Sequence, residues 1–121
     1  MLQKRKYVRV CFPGRAELLV EEPHVDVVVS NISMGGLHLH CERALNLGDR
    51  VRLRMHHHEG ELPFEEVVHG RVVVVHRRSE AVSYGVQFMP NLDIHLQPGL
   101  HHWISAHSQN DAVSFLRNTI P

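Results

Sequence analysis

The chain has 121 residues, 43% of them hydrophobic and 21% charged, and its 13 basic and 13 acidic side chains cancel. Such a chain fits one globular domain that buries roughly two-thirds of its unfolded surface, and is too apolar for a disordered segment. A neutral total offers no bulk attraction to a nucleic acid polymer or a membrane surface.

The charge is unevenly spread. Lys4, Arg5, Lys6 and Arg9 make residues 1–9 a basic arm, leaving room for a local anion site in a neutral protein. No apolar run follows the first basic residues, and no apolar stretch is long enough to cross a bilayer, so a cytoplasmic location is expected. Cys11 and Cys41 lack CxxC spacing and read as reduced, partly buried thiols.

The elements expected in chain order are mostly strands. Val8–Phe12 and Ala16–Val20 are apolar runs split by Pro13–Gly14, and Val25–Val29 is rich in branched residues. Leu37 and Leu39 alternate with His38 and His40. Val51, Leu53 and Met55 alternate with Arg52 and Arg54, again with the apolar set inward. A longer strand follows with Gly70 as an expected bulge, then one with Val82, Tyr84, Val86 and Phe88 on a single face. Six or seven short antiparallel strands at this spacing suggest a small barrel or sandwich. The period then changes: Leu96, Leu100, Trp103 and Ile104 share a helical face, weakened by Gly99. A second short helix is expected after a cap at Asn110 or Asp111, with Val113, Leu116 and Ile120 on one side. The organisation is one domain over 1–121: a barrel at about 8–89 and a helical segment at about 92–120.

Twelve histidines are the loudest compositional feature. Adjacent pairs such as His56–His57 diverge in a strand, no HExxH is present, and His38 with His40 would need a third metal ligand from elsewhere. A solvent face carrying histidine in place of lysine explains most of them. Ser33 lacks a nucleophile elbow, Glu65 and Glu66 should diverge, and "SMGG" is no dinucleotide fingerprint, so no enzyme activity is expected.

Two features remain. Arg5 and Arg9 stand four apart at the entrance to the first strand, and Asn31, Ser33 and Gly36 follow in the order N-x-S-x-x-G. Each alone has an ordinary explanation, a basic terminus and a polar turn. Together, ahead of alternating strands, the sequence resembles the PilZ domain family, whose signature is RxxxR followed by [D/N]xSxxG. "GRVVVV" from Gly70 and "YGVQF" from Tyr84 resemble the family's later strands.

That resemblance implies a mainly β fold, a six-stranded antiparallel barrel with a carboxy-terminal helix. It further implies a receptor for cyclic di-GMP, with Lys4, Arg5, Arg9, Asn31, Ser33 and Gly36 as ligand-binding residues and no cofactor or metal. Arginine forks suit phosphate oxygens and the guanine O6/N7 edge, Asn31 offers a carbonyl acceptor, and Gly36 permits close approach. The family's occasional aromatic residue for guanine stacking is replaced here by Val72–Val75. A downstream protein partner is implied, with the chain a monomer or a homodimer. The alternatives are a ligand-independent adaptor acting through protein contacts, and a histidine-rich metal-binding protein.

Overall fold

A computed structural model describes residues 8–19, 24–59, 62–78 and 81–119. Six strands, β1 (Arg15–Leu18), β2 (Val25–Ile32), β3 (Gly36–His40), β4 (Arg50–Glu59), β5 (Leu62–Arg78) and β6 (Ala81–Phe88), precede one helix, α1 (Pro98–Thr119). The strands close antiparallel in the order β1-β2-β3-β6-β5-β4, with β1 pairing β4 to complete the barrel. The mainly β fold with a terminal helix is the architecture expected.

Alternation fills the interior. Leu37 and Leu39, then Val51, Leu53 and Met55, then Tyr84, Val86 and Phe88 are all buried, while the arginines and histidines between them face outward. Tyr84 also carries a polar handle: its hydroxyl accepts from the Leu45 N–H at 3.1 Å, fixing the loop before β4.

Two strands break the alternation. In β2 the register against β3 shifts between Val29 and Asn31, so the buried positions are Val27, Val29 and Ile32. In β5 it shifts between Val72 and Val74 against β6. Each is a bulge that puts two successive residues on the outer face: Ser30 with Asn31, and Val73 with Val74. The bulge expected at Gly70 is therefore misplaced. Gly70 pairs regularly with Val51 and Phe88, and a Cβ there would meet Val86 Cγ1 at 2.6 Å and the Gln87 carbonyl oxygen at 2.7 Å. Close approach, not a bend, selects glycine.

Other expectations are corrected. Val8–Phe12 forms no strand; within it Val10 makes an isolated antiparallel bridge to Ile32, and Phe12 turns into the core. The strand expected at Ala16–Val20 runs over Arg15–Leu18, with Val20 outside the described residues. Cys41 is half-buried but Cys11 is exposed.

The helix is anchored through Leu100, Trp103 and Ile104, all buried, with Trp103 edge-on to Phe12 at 5.7 Å between ring centroids. It thus packs on its own barrel. Leu96 is not part of that face. It precedes the helix and is 68% exposed, because Pro98 supplies a first helical residue and holds the chain before it out of helical geometry. The expected break at Asn110 or Asp111 is also absent, and one continuous helix runs through both positions. Gly99 lets the helix cross Phe64, whose Cγ would lie 2.6 Å from a Cβ at that position.

Glu66 secures this helix. Its two carboxylate oxygens accept from the Gly99 and Leu100 N–H groups, each at 2.7 Å, which satisfies two donors that the first turn leaves open. Glu65 points away to Arg54 at 3.0 Å, as strand geometry requires of neighbours. Glu66→Ala is expected to lower unfolding free energy by about 2 kcal/mol, the scale of hydrogen bonds to a charged acceptor. Urea denaturation with an unchanged midpoint would refute that role.

Candidate functional site

The turn joining β2 to β3 is held by its own backbone and by its neighbours. Ser33 N–H donates to the Gly36 carbonyl at 2.8 Å, and Gly35 N–H donates to Ser33 Oγ at 3.2 Å. The Gly35 carbonyl accepts from Phe88 N–H at 2.8 Å, and the Met34 carbonyl accepts from Leu92 N–H at 3.0 Å. Ser33 is 7% exposed, so its hydroxyl is fixed, not free to wander. At Gly36 a Cβ would overlap the Val86 carbonyl oxygen, which makes glycine a packing requirement of the β3–β6 pair.

The amino-terminal segment is pinned beside this turn. Val10 and Ile32 exchange both backbone hydrogen bonds at 2.8 Å, which places the exposed Arg9 next to Ser33. Arg9, Ser33 and Gly36 line one cavity of about 380 Å³, walled by Val73 and Val74 and bordered by Gln87 and Asn91. Val73 and Val74 are 44% and 38% exposed, both outward because of the β5 bulge. The wall is aliphatic, as the valine run implied.

Three of the six expected ligand residues are thereby brought together. Asn31 lies in β2, not in the turn. It is half-buried on the outer face opposite His38 and does not line the cavity. Lys4 and Arg5 lie outside the described residues. Gln87 and Asn91 were not anticipated as cavity residues. Gln87 was signalled only by standing out of phase with the apolar set of β6.

Along the same outer face stand three imidazoles. His38 lies 5.5 Å from His40 and 5.7 Å from His76 between ring centroids. Ser30 Oγ is 3.0 Å from His38 Nδ1 and donates to the His38 carbonyl at 3.2 Å; with the hydroxyl proton so placed, Nδ1–H donates to Oγ and Nε2 is left as an acceptor. Among the described residues no three histidine, cysteine or acidic side chains are arranged to hold a metal ion. The His56–His57 pair diverges as expected: His56 Nε2 meets Glu17 at 2.9 Å, while the His57 ring lies 5.2 Å from Trp103.

Burial pushes the His38 imidazole below its ordinary range, reinforced by His40, His76 and Arg9. A depressed histidine means the unfolded chain binds more protons just below pH 6.5, so this contribution to stability is present above that pH and lost as pH falls through the window. The expected result is a thermal midpoint that drops between pH 7 and 5.5, with a shallower drop in His38→Gln. Parallel profiles for the two proteins would count against it.

The PilZ domain model matches residues 3–106, and the chain belongs to the PilZ domain family. Solved structures agree on the fold. The motility inhibitor MotI/DgrA of Bacillus subtilis superposes with a TM-score of 0.73 at 19% identity, over 90% of this chain and 53% of that one. The PilZ domain of Escherichia coli YcgR, determined with cyclic di-GMP, gives 0.63 at 16% identity over 95% of this chain and 98% of the domain. A longer YcgR structure in complex with cyclic di-GMP gives 0.67 at 15% identity. The chain spans about half the length of MotI/DgrA and of that longer YcgR, 53% and 51%. No protein of curated function matches it in sequence. No helix among the described residues is long and apolar enough to cross a membrane.

Proposed function

We propose that this chain is a cyclic di-GMP receptor that acts by binding, not by catalysis. The observation that carries the reading is the convergence of Arg9, Ser33 and Gly36 on one outward cavity of a PilZ barrel. A determined complex of the YcgR PilZ domain with cyclic di-GMP supports the choice of ligand.

The residues divide the work by their chemistry. Arg9 presents a rigid fork to a phosphate or to a guanine O6/N7 edge, and Arg5 adds a second fork from the same arm. Lys4 contributes attraction without planar recognition. Ser33 both donates and accepts, and Gly36 keeps the floor open, while Asn31 stands outside the cavity lining. Val73 and Val74 give a base an apolar wall without aromatic stacking. Ligand binding changes the conformation of the chain around Arg9, and the remodelled surface is read by a protein partner. Only a difference in ligand affinity between the two conformations drives that shift.

Calorimetric titration with cyclic di-GMP tests the reading and returns stoichiometry. Saturable binding that falls in Ser33→Ala is expected. Undiminished binding in an Arg5→Ala/Arg9→Ala double variant refutes the site.

A further inference from the structure

A second cavity lies on the outer faces of β4 and β5. At about 600 Å³ it is within the usual range for small-molecule sites, and it shares no lining residue with the Arg9 cavity. Its polar lining is Arg50, Arg52, Arg71 and His69; its apolar lining includes Leu19 and Met89. No lining residue carries a carboxylate.

The strand register concentrates this charge. Arg50 stands directly opposite Arg71, and Arg52 opposite His69. Like charges across a strand pair destabilise a sheet, so the arrangement has a cost that packing does not explain. The next outward arginine on β4 is treated differently, because Arg54 is neutralised by Glu65 at 3.0 Å. Asp49, beside Arg50 in sequence, is engaged elsewhere: its Oδ2 accepts from the Asn46 N–H at 2.9 Å. Among the described residues no carboxylate pairs with Arg50, Arg52 or Arg71.

Arg71 adds an independent sign. Its Nε is shielded from solvent and has no hydrogen-bond partner. A buried donor left unsatisfied is destabilising, and native structures rarely keep one without a reason. A ligand acceptor reaches it only through a change of the Arg71 side-chain rotamer.

We infer that the Arg50–Arg52–Arg71 cavity binds a phosphate ester, at a site separate from the Arg9 cavity. Three guanidinium forks exceed what one carboxylate neutralises, whereas a phosphoryl group offers several oxygens to several forks. Leu19 and Met89 give the organic part of the ester an apolar wall. The inference stands whether or not the Arg9 cavity takes cyclic di-GMP. Two sources share this chemistry: a second molecule of cyclic di-GMP, and another phosphorylated metabolite.

The test is calorimetry on the full chain with inorganic pyrophosphate, at low and constant ionic strength. Saturable binding is expected, weakened at least tenfold in Arg71→Gln and in Arg50→Gln, and unchanged in Arg54→Gln. Loss of pyrophosphate binding in Arg54→Gln to the same degree, or no binding by the wild-type chain, overturns the site. Removing one member of the Arg50–Arg71 pair relieves repulsion, so Arg50→Gln is expected to melt no lower than the wild-type chain. A lower midpoint would assign the arginines to stability and overturn the inference. Titrating Arg9→Ala with cyclic di-GMP then distinguishes the sources. Residual binding that weakens further on adding Arg71→Gln identifies the second messenger, and residual binding indifferent to Arg71→Gln alongside pyrophosphate binding identifies another ester.

Discussion

Arg9→Ala is expected to weaken cyclic di-GMP binding about 100-fold while leaving the fold intact. Two charge-assisted hydrogen bonds from one guanidinium to phosphate or guanine are together worth about 3 kcal/mol, which corresponds to that factor. The fold is spared because the side chain is exposed, and the segment is anchored one residue later by the paired hydrogen bonds of Val10 and Ile32. Arg9→Lys should recover little, since an ammonium keeps the charge but loses the planar fork. Calorimetry on the three proteins settles the matter. Equal affinity across them would move the ligand away from this cavity.

Gly36→Ala is expected to produce the other large effect, this time on stability and binding together. The added methyl would overlap the Val86 carbonyl oxygen, which is backbone in a paired strand and cannot rotate away. Strand β3 must then move off β6, disturbing the register from Gly36↔Gln87 to His40↔Ser83. Overpacking of this kind costs about 3 kcal/mol, or about 10 °C in thermal midpoint for a domain of this size. A calorimetric midpoint within 2 °C of the wild-type chain, on the scale of that estimate, would contradict the packing argument. The signature glycine is thus explained before any ligand is considered.

Much of the fold was legible because period-two alternation and inward burial are the same fact seen twice. Leu37 with Leu39, Val51 with Leu53 and Met55, and Tyr84 with Val86 and Phe88 all declared their face in the sequence. The failures have physical reasons. A bulge is an event in hydrogen-bond register, and hydrophobicity does not encode it, so the outward turn of Asn31 and Val73 was invisible. Gly70 resembled a bend because a close approach and a bend select the same residue. Leu96 fell on a helical face by spacing alone, although Pro98 marked the true start. Of the candidate site, Arg9, Ser33 and Gly36 were found by motif order and share a cavity. The Arg50–Arg71 juxtaposition was not found, because it depends on which residues of two distant stretches stand opposite one another.

The two bulges loosen the tie between the inside and the outside of the barrel. In a regular strand, one residue lost would exchange the faces of everything beyond it. Here, removing Ser30 or Val73 would restore plain alternation, leaving Ile32 and Val75 still turned inward. The interior therefore tolerates either length of β2 and β5, while the exterior changes by one side chain. Such strands let the outer face be edited by insertion and deletion with the core held constant.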